Sequence, residues 1–157
     1  MDYLLNLLEM EMIIRLTLAA FLGFVIGLER ELTGHPAGER THTLVALGAA
    51  TFALISSNAF PDGDTSRIAA GVVTGLGFLG AGAILKTGAN EIHGLTTATG
   101  IWVVGAIGLA IGSGMFQLGI VSAVLVGLVL ISERILKTDR RLARLRKRKE
   151  NPETSAD

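Results

Sequence analysis

"GLGFLGAG", residues 75–82, supports two incompatible readings. As a motif, Gly75, Gly77 and Gly80 spell G-x-G-x-x-G, the turn that cradles a dinucleotide pyrophosphate. As a pattern, the same letters are small residues inside an uncharged run from 68 to 85. The fingerprint needs a strand before it, a helix after it and an acidic residue about 20 positions on. The nearest following acid is Glu91, 16 positions beyond Gly75, and about 70 apolar-rich residues precede the motif. No alternation of strand and helix patterns follows. A soluble nucleotide-dependent enzyme therefore rests on three glycines alone, and the uncharged context decides for a membrane helix.

Working outward, the neighbouring stretches read the same way. A bilayer core about 30 Å thick needs roughly 20 apolar helical residues. Residues 41–61 carry no formal charge with His42 neutral, 68–85 carry none, and neither do the 39 residues 94–132. The last run is too long for one span, and "GSGMFQ" (112–117) divides it. Residues 16–28 form a shorter uncharged run, completed by Arg15 and the "MII" before it, with Arg15 expected to snorkel at a membrane edge. The expectation is an all-α polytopic membrane protein with five transmembrane helices near 10–29, 41–59, 67–86, 94–112 and 116–136. Connections are short and polar: "ERELTGHPAGER", "PDGDTS" and "KTGANEIH".

Composition agrees. Half of the 157 residues are hydrophobic, 18% are charged and mean hydropathy is +0.53; soluble domains carry about 25% charged residues. Cysteine is absent, which excludes disulfides and thiolate chemistry. Net charge is zero, yet nine of 14 basic residues fall in 134–149. That tail, 137–157 beyond a membrane domain of 1–136, suits anionic headgroups and offers no folded scaffold for nucleic acid. The N-terminus carries acid and no base, so a cleaved signal peptide is not expected. Counting Lys and Arg near span ends places Arg30, Arg40, Lys86 and the tail inside, against Arg15 and Arg67 outside. The N-terminus is then outside and the C-terminus inside.

In this setting the glycines pack helices. Gly71 and Gly75 form G-x-x-x-G, Gly77 with Ala81 continues small-xxx-small spacing, and Gly108 with Gly112 repeats it. The third helix, holding Gly71, Gly75, Gly77, Gly80 and Gly82, is expected to be glycine-rich and central, or broken near 77–82 as in transporters.

"AAFLGFVIGLERELTGHPAGERTHTLVALGAATFALIS" (19–56), "RIAAGVVTGLGFLGAGAIL" (67–85) and "HGLTTATGIWVVGAIGLAIG" (93–112) together resemble the MgtC/SapB family membrane domain. The resemblance implies a multi-pass protein of the bacterial cytoplasmic (inner) membrane, linked to growth at low magnesium, stress adaptation and, in pathogens, survival inside host cells. Many members are labelled magnesium transporters; modulation of other membrane proteins is the competing view. Longer members add a soluble C-terminal domain, and this chain is expected to be a short form lacking it.

Candidate functional residues cluster on the inner side. Glu29, Arg30 and Glu31 end the first helix, and an ionisable group at membrane depth is paired or functional. Arg40 and Thr41 open the second helix and return to that interface. The positions implied by the resemblance are Glu29, Arg30, Gly38, Arg40 and Thr41. Thr96, Thr97 and Thr99 surround the start of the fourth helix, whose partial positive charge suits a carboxylate or anion. Trp102 is expected to pack. His35, His42 and His93 fall on the same side without metal-ligand spacing. Magnesium favours oxygen ligands with one or two carboxylates; Glu29 is the weak candidate for it as ligand or substrate, and no resident cofactor is expected. We expect a non-enzymatic regulator of other membrane proteins, with a magnesium or other cation transporter as the alternative, embedded in the lipid bilayer and capable of homo-oligomerisation.

Overall fold

The computed structural model describes residues 2–60, 63–87 and 91–132. Five helices make up almost all of it: α1 (Asp2–Leu32), α2 (Glu39–Ala59), α3 (Ser66–Gly82), α4 (Leu95–Gly112) and α5 (Phe116–Ser132). The expected helical architecture is present. Three helices are long and apolar enough to cross a membrane: α1 over Leu8–Leu32, α2 and α4. α3 and α5 are apolar but shorter, at about 25 Å each from 17 residues. The expected end of α5 at 136 and the basic tail lie outside the described residues.

Each boundary has a local cause. α1 runs to Leu32, three residues beyond expectation, and stops at Gly34, whose φ of +77° only glycine adopts freely. There the His35 amide donates to the Arg30 carbonyl at 3.0 Å, closing the last turn. α3 ends at Gly82, not near 86, because the chain turns into a small hairpin. Strands β1 (Leu85–Thr87) and β2 (Glu91–His93) pair antiparallel with Lys86 opposite Ile92. Within "KTGANEIH", residues 86–87 and 91–93 are thus strand rather than loop, and 88–90 lie outside the described residues. Gly94, at φ +89°, returns the chain beneath the Ala83 carbonyl and starts α4.

The centre is α4, and this corrects the expected role of α3. α4 buries residues from Thr97 to Gly112 and touches α1, α2 and α3. Only Leu76 and Gly80 are buried on α3. A Cβ built on Gly71, Gly75, Gly77 or Gly82 would meet nothing within 4 Å. Close backbone approach occurs elsewhere. Gly108 and Gly112 of α4 press on Ala46 and Ala50 of α2; a Cβ on Gly112 would lie 2.6 Å from the Ala50 Cα. On α2's other flank, Gly23 and Gly27 of α1 press on His42 and Glu39, with a Cβ on Gly27 only 2.6 Å from the Glu39 Cα. The seam is a small-xxx-small contact of the kind that holds membrane helices, made by α1, α2 and α4. Ile26, Val104, Ile107, Ile111 and Leu130 complete the core around it.

Arg15, about 22 Å along α1 from Arg30, makes its contacts within the protein. Its Nη1 donates to the Gly112 carbonyl at 2.9 Å, and it pairs with Glu11 one turn earlier. The guanidinium lies 5.9 Å from the Phe116 ring centre. A cation on the last carbonyls of a helix complements its dipole, so Arg15 ties α1 to the α4–α5 turn.

Candidate functional site

The polar end of the bundle forms where α1 stops and α2 begins. Arg30 is the largest fully buried side chain, at 1% exposure, and its Nη1 stands 3.7 Å from Glu29 Oε2. A guanidinium buried against apolar helices costs several kcal/mol unless paired, and Glu29 supplies a paired charge. Glu31 points outward along the following loop. Its Oε2 accepts the Glu39 amide at 3.2 Å, tying the end of α1 to the first turn of α2. Gly38 sits against that carboxylate and leaves no room for a Cβ. Glu31 and Gly38 are therefore brought together across the loop.

Arg40 and Thr41 reach the same end without joining this cluster. Both are exposed. The Arg40 side chain is 93% exposed and turns away, its Nε 3.5 Å from Glu39 Oε1. Of the threonines on α4, Thr97 is buried and Thr96 is exposed. The Thr99 hydroxyl donates back to the Leu95 and Thr96 carbonyls at 3.1 and 3.0 Å. The α4 start has no side-chain cap; Gly94 occupies that position. Trp102, expected to pack, is about half exposed on the outer face of α4.

His42 is the residue that sequence reasoning undervalued. It lies at 0% exposure between the glycines of α1 and α4. Its Nδ1 is 3.0 Å from the Gly38 carbonyl, so Nδ1 carries the proton and donates. Nε2 is buried, takes no hydrogen bond among the described residues, and faces Gly100, where a Cβ would stand 3.4 Å away. A signal for it was present: His42, Ala46, Ala49, Ala50, Ala53 and Ser56 form one buried stripe of α2. His35 instead meets the Thr33 hydroxyl at 2.8 Å, and His93 lies on β2. Among the described residues no three His, Asp or Glu side chains converge on a metal position.

The arrangement is a buried arginine and a buried histidine, flanked by Glu29 and Glu39, wedged where three helices meet. Its charges are largely balanced within the chain, Glu29 against Arg30 and Glu39 against Arg40.

A family model for the MgtC family matches residues 16–138. A protein named "Putative magnesium transporter YhiD" from Escherichia coli (strain K12) is 52% identical over 128 residues, covering 76% of this chain and 59% of the relative. Protein SrpB of Synechococcus elongatus is 45% identical over 122 residues, covering 68% and 66%. Protein MgtC of Brucella abortus is 45% identical over 108 residues, covering 69% and 45%. The chain thus spans about half to two thirds of the curated relatives it matches. None of these names describes an enzyme. No solved structure matches the chain.

Proposed function

From the premise that this chain belongs to the MgtC family of membrane proteins, we propose that it is a regulator of other membrane proteins, working in magnesium limitation or stress. The observation that carries this reading is the α1–α2–α4 seam. α4 meets α2 backbone to backbone at Gly108 and Gly112, which leaves no width there for a hydrated cation. Magnesium dehydrates reluctantly and asks for carboxylate or carbonyl oxygen. The carboxylate at membrane depth, Glu29, already faces the Arg30 guanidinium, and a neighbouring cation opposes metal binding. The site fits a sensor or docking element better than a conducting path. By basic-residue asymmetry the protein sits in the cytoplasmic membrane with its N-terminus out and C-terminus in.

One observation favours the second reading, a magnesium or other cation transporter. The relative that is 52% identical carries a magnesium-transporter name, and Glu29 Oε2 is buried without a hydrogen bond among the described residues. Magnesium uptake by liposomes holding the purified chain separates the two. Under the regulatory reading, folded protein gives no flux above empty vesicles. Flux that falls in Glu29→Gln overturns it and places Glu29 on a transport path.

A further inference from the structure

α2 and α3 splay apart and leave an apolar cleft of about 790 Å³ between them, floored by Gly48, Gly71 and Gly75. A Cβ at any of the three would point into open space, so the glycines keep the cleft deep instead of serving a contact within the chain. Its length is set by Leu44 to Ile55 on α2 and Ile68 to Leu79 on α3. Eleven helical steps span about 16 Å, close to half of a bilayer core about 30 Å thick. The cleft is therefore as long as the acyl region of one leaflet.

Its mouths carry charge. Arg40, Leu44 and Gly48 follow one another at four-residue steps on α2, and Arg67, Gly71 and Gly75 do so on α3. Both arginines open their helices, and consecutive antiparallel helices put them at opposite ends. The two mouths differ in their acids. Beside Arg40, Glu39 keeps Oε2 buried and brings Oε1 within 3.5 Å of the arginine Nε, while the arginine itself is 93% exposed. Beside Arg67, Asp64 is fully exposed. The Arg40 mouth thus presents a guanidinium that pairs with Glu39 through Nε and is otherwise open to solvent among the described residues.

We propose that the α2–α3 cleft is a binding site for one acyl chain of an anionic glycerophospholipid, whose phosphate rests on Arg40. Arginine matches phosphate oxygens with two parallel donors, and the cleft supplies an apolar trough of matching length. A second copy of the chain is less suited. Two copies inserted the same way are related by an axis along the membrane normal, which brings Arg40 toward Arg40 and Arg67 toward Arg67.

The test uses the full chain reconstituted in bilayers of equal phosphatidylglycerol and phosphatidylcholine, then transferred to mild detergent. Retained lipids are counted by native mass spectrometry. Wild type is expected to keep one phosphatidylglycerol per protomer in preference to phosphatidylcholine. Gly71→Leu combined with Gly75→Leu fills the cleft and should reduce retention about tenfold, while Gly127→Leu, also facing open space, should not. Arg40→Gln should cut the preference for phosphatidylglycerol about tenfold, the loss of one charge-assisted phosphate contact; Arg67→Gln should leave it. Retention of no lipid, or equal retention of both, overturns the proposal. So does a filled-cleft variant that turns a dimer into a monomer with its lipid count unchanged, since a second copy is then the occupant. Should that variant fail to fold, the exposed Arg40→Gln decides alone, and unchanged preference there overturns the site.

Discussion

Arg30 and Arg40 are ten residues apart, and sequence logic placed both in one polar cluster; burial separates them. Arg30 faces the helix interior at 1% exposure and Arg40 faces out at 93%. Arg30→Gln leaves the buried Glu29 Oε2 without its guanidinium, and we expect a loss of about 3 kcal/mol, read as a lower midpoint in denaturant titration of detergent-solubilised protein. Arg40→Gln removes only an exposed pair and is expected to shift that midpoint by less than about 1 kcal/mol. Asp64 makes a pH prediction outside the membrane segments. The Ser66 hydroxyl and amide both donate to its Oδ1, at 2.6 and 2.9 Å, and hold its carboxyl below the usual carboxylate range. A depressed value means the bonds are fully present above the ordinary carboxylate range and are lost as pH falls through the folded value. The Ser66 amide should therefore lose hydrogen-exchange protection on acidification, after correction for intrinsic rates, and Asp64→Asn should flatten that response. Glu29, Arg30 and Glu31 were legible as charges flanking an apolar run. The depth of His42 was legible only through the helical spacing it shares with Ala46, Ala49, Ala50, Ala53 and Ser56, since a lone histidine one turn into a helix does not mark itself.

For the helices, the sequence announces small-residue pairs without saying which neighbour they meet. Gly71 and Gly75 have the same four-residue spacing as the packed pairs, yet they face open space. Gly23 with Gly27, and Gly108 with Gly112, carry the close approach. A one-dimensional pattern records that a backbone is bare, while the partner depends on how the helices fold back, which loop lengths alone leave open. The consequence is measurable. Gly108→Ala or Gly112→Ala drives a methyl into α2 backbone and should cost about 1–3 kcal/mol. Gly77→Ala meets nothing and should be neutral or stabilising by up to about 1 kcal/mol, by helix propensity. Denaturation midpoints of the three variants, compared side by side, check the ranking. If Gly77→Ala proves the most damaging, α3 packs more centrally than the structure has it. The hairpin at 85–93 was missed for a simpler reason: its strands are three residues each, too short for alternation to register.

At the level of the molecule, hydropathy and charge made the helical membrane class legible, since runs free of charge leave few alternatives. The number of crossings is a finer matter. α1, α2 and α4 have the length, while α3 and α5 are 17 residues in the described chain. Because the chain has no cysteine, single introduced cysteines report sidedness without background. With five crossings and the N-terminus out, Thr33→Cys should be labelled only from the cytoplasmic side and Gly63→Cys only from the opposite side by an impermeant maleimide. Labelling of both from one side would mean that α2 does not cross. A last consequence follows from the seam where α2 lies between bare flanks of α1 and α4. Ala46, Ala50 and Ala53 meet Gly108, Gly112 and Gly23 there, and neither residue type has rotamers to freeze. Joining such surfaces surrenders almost no side-chain entropy, so this part of the bundle should assemble with an unusually temperature-insensitive free energy and loosen last on warming.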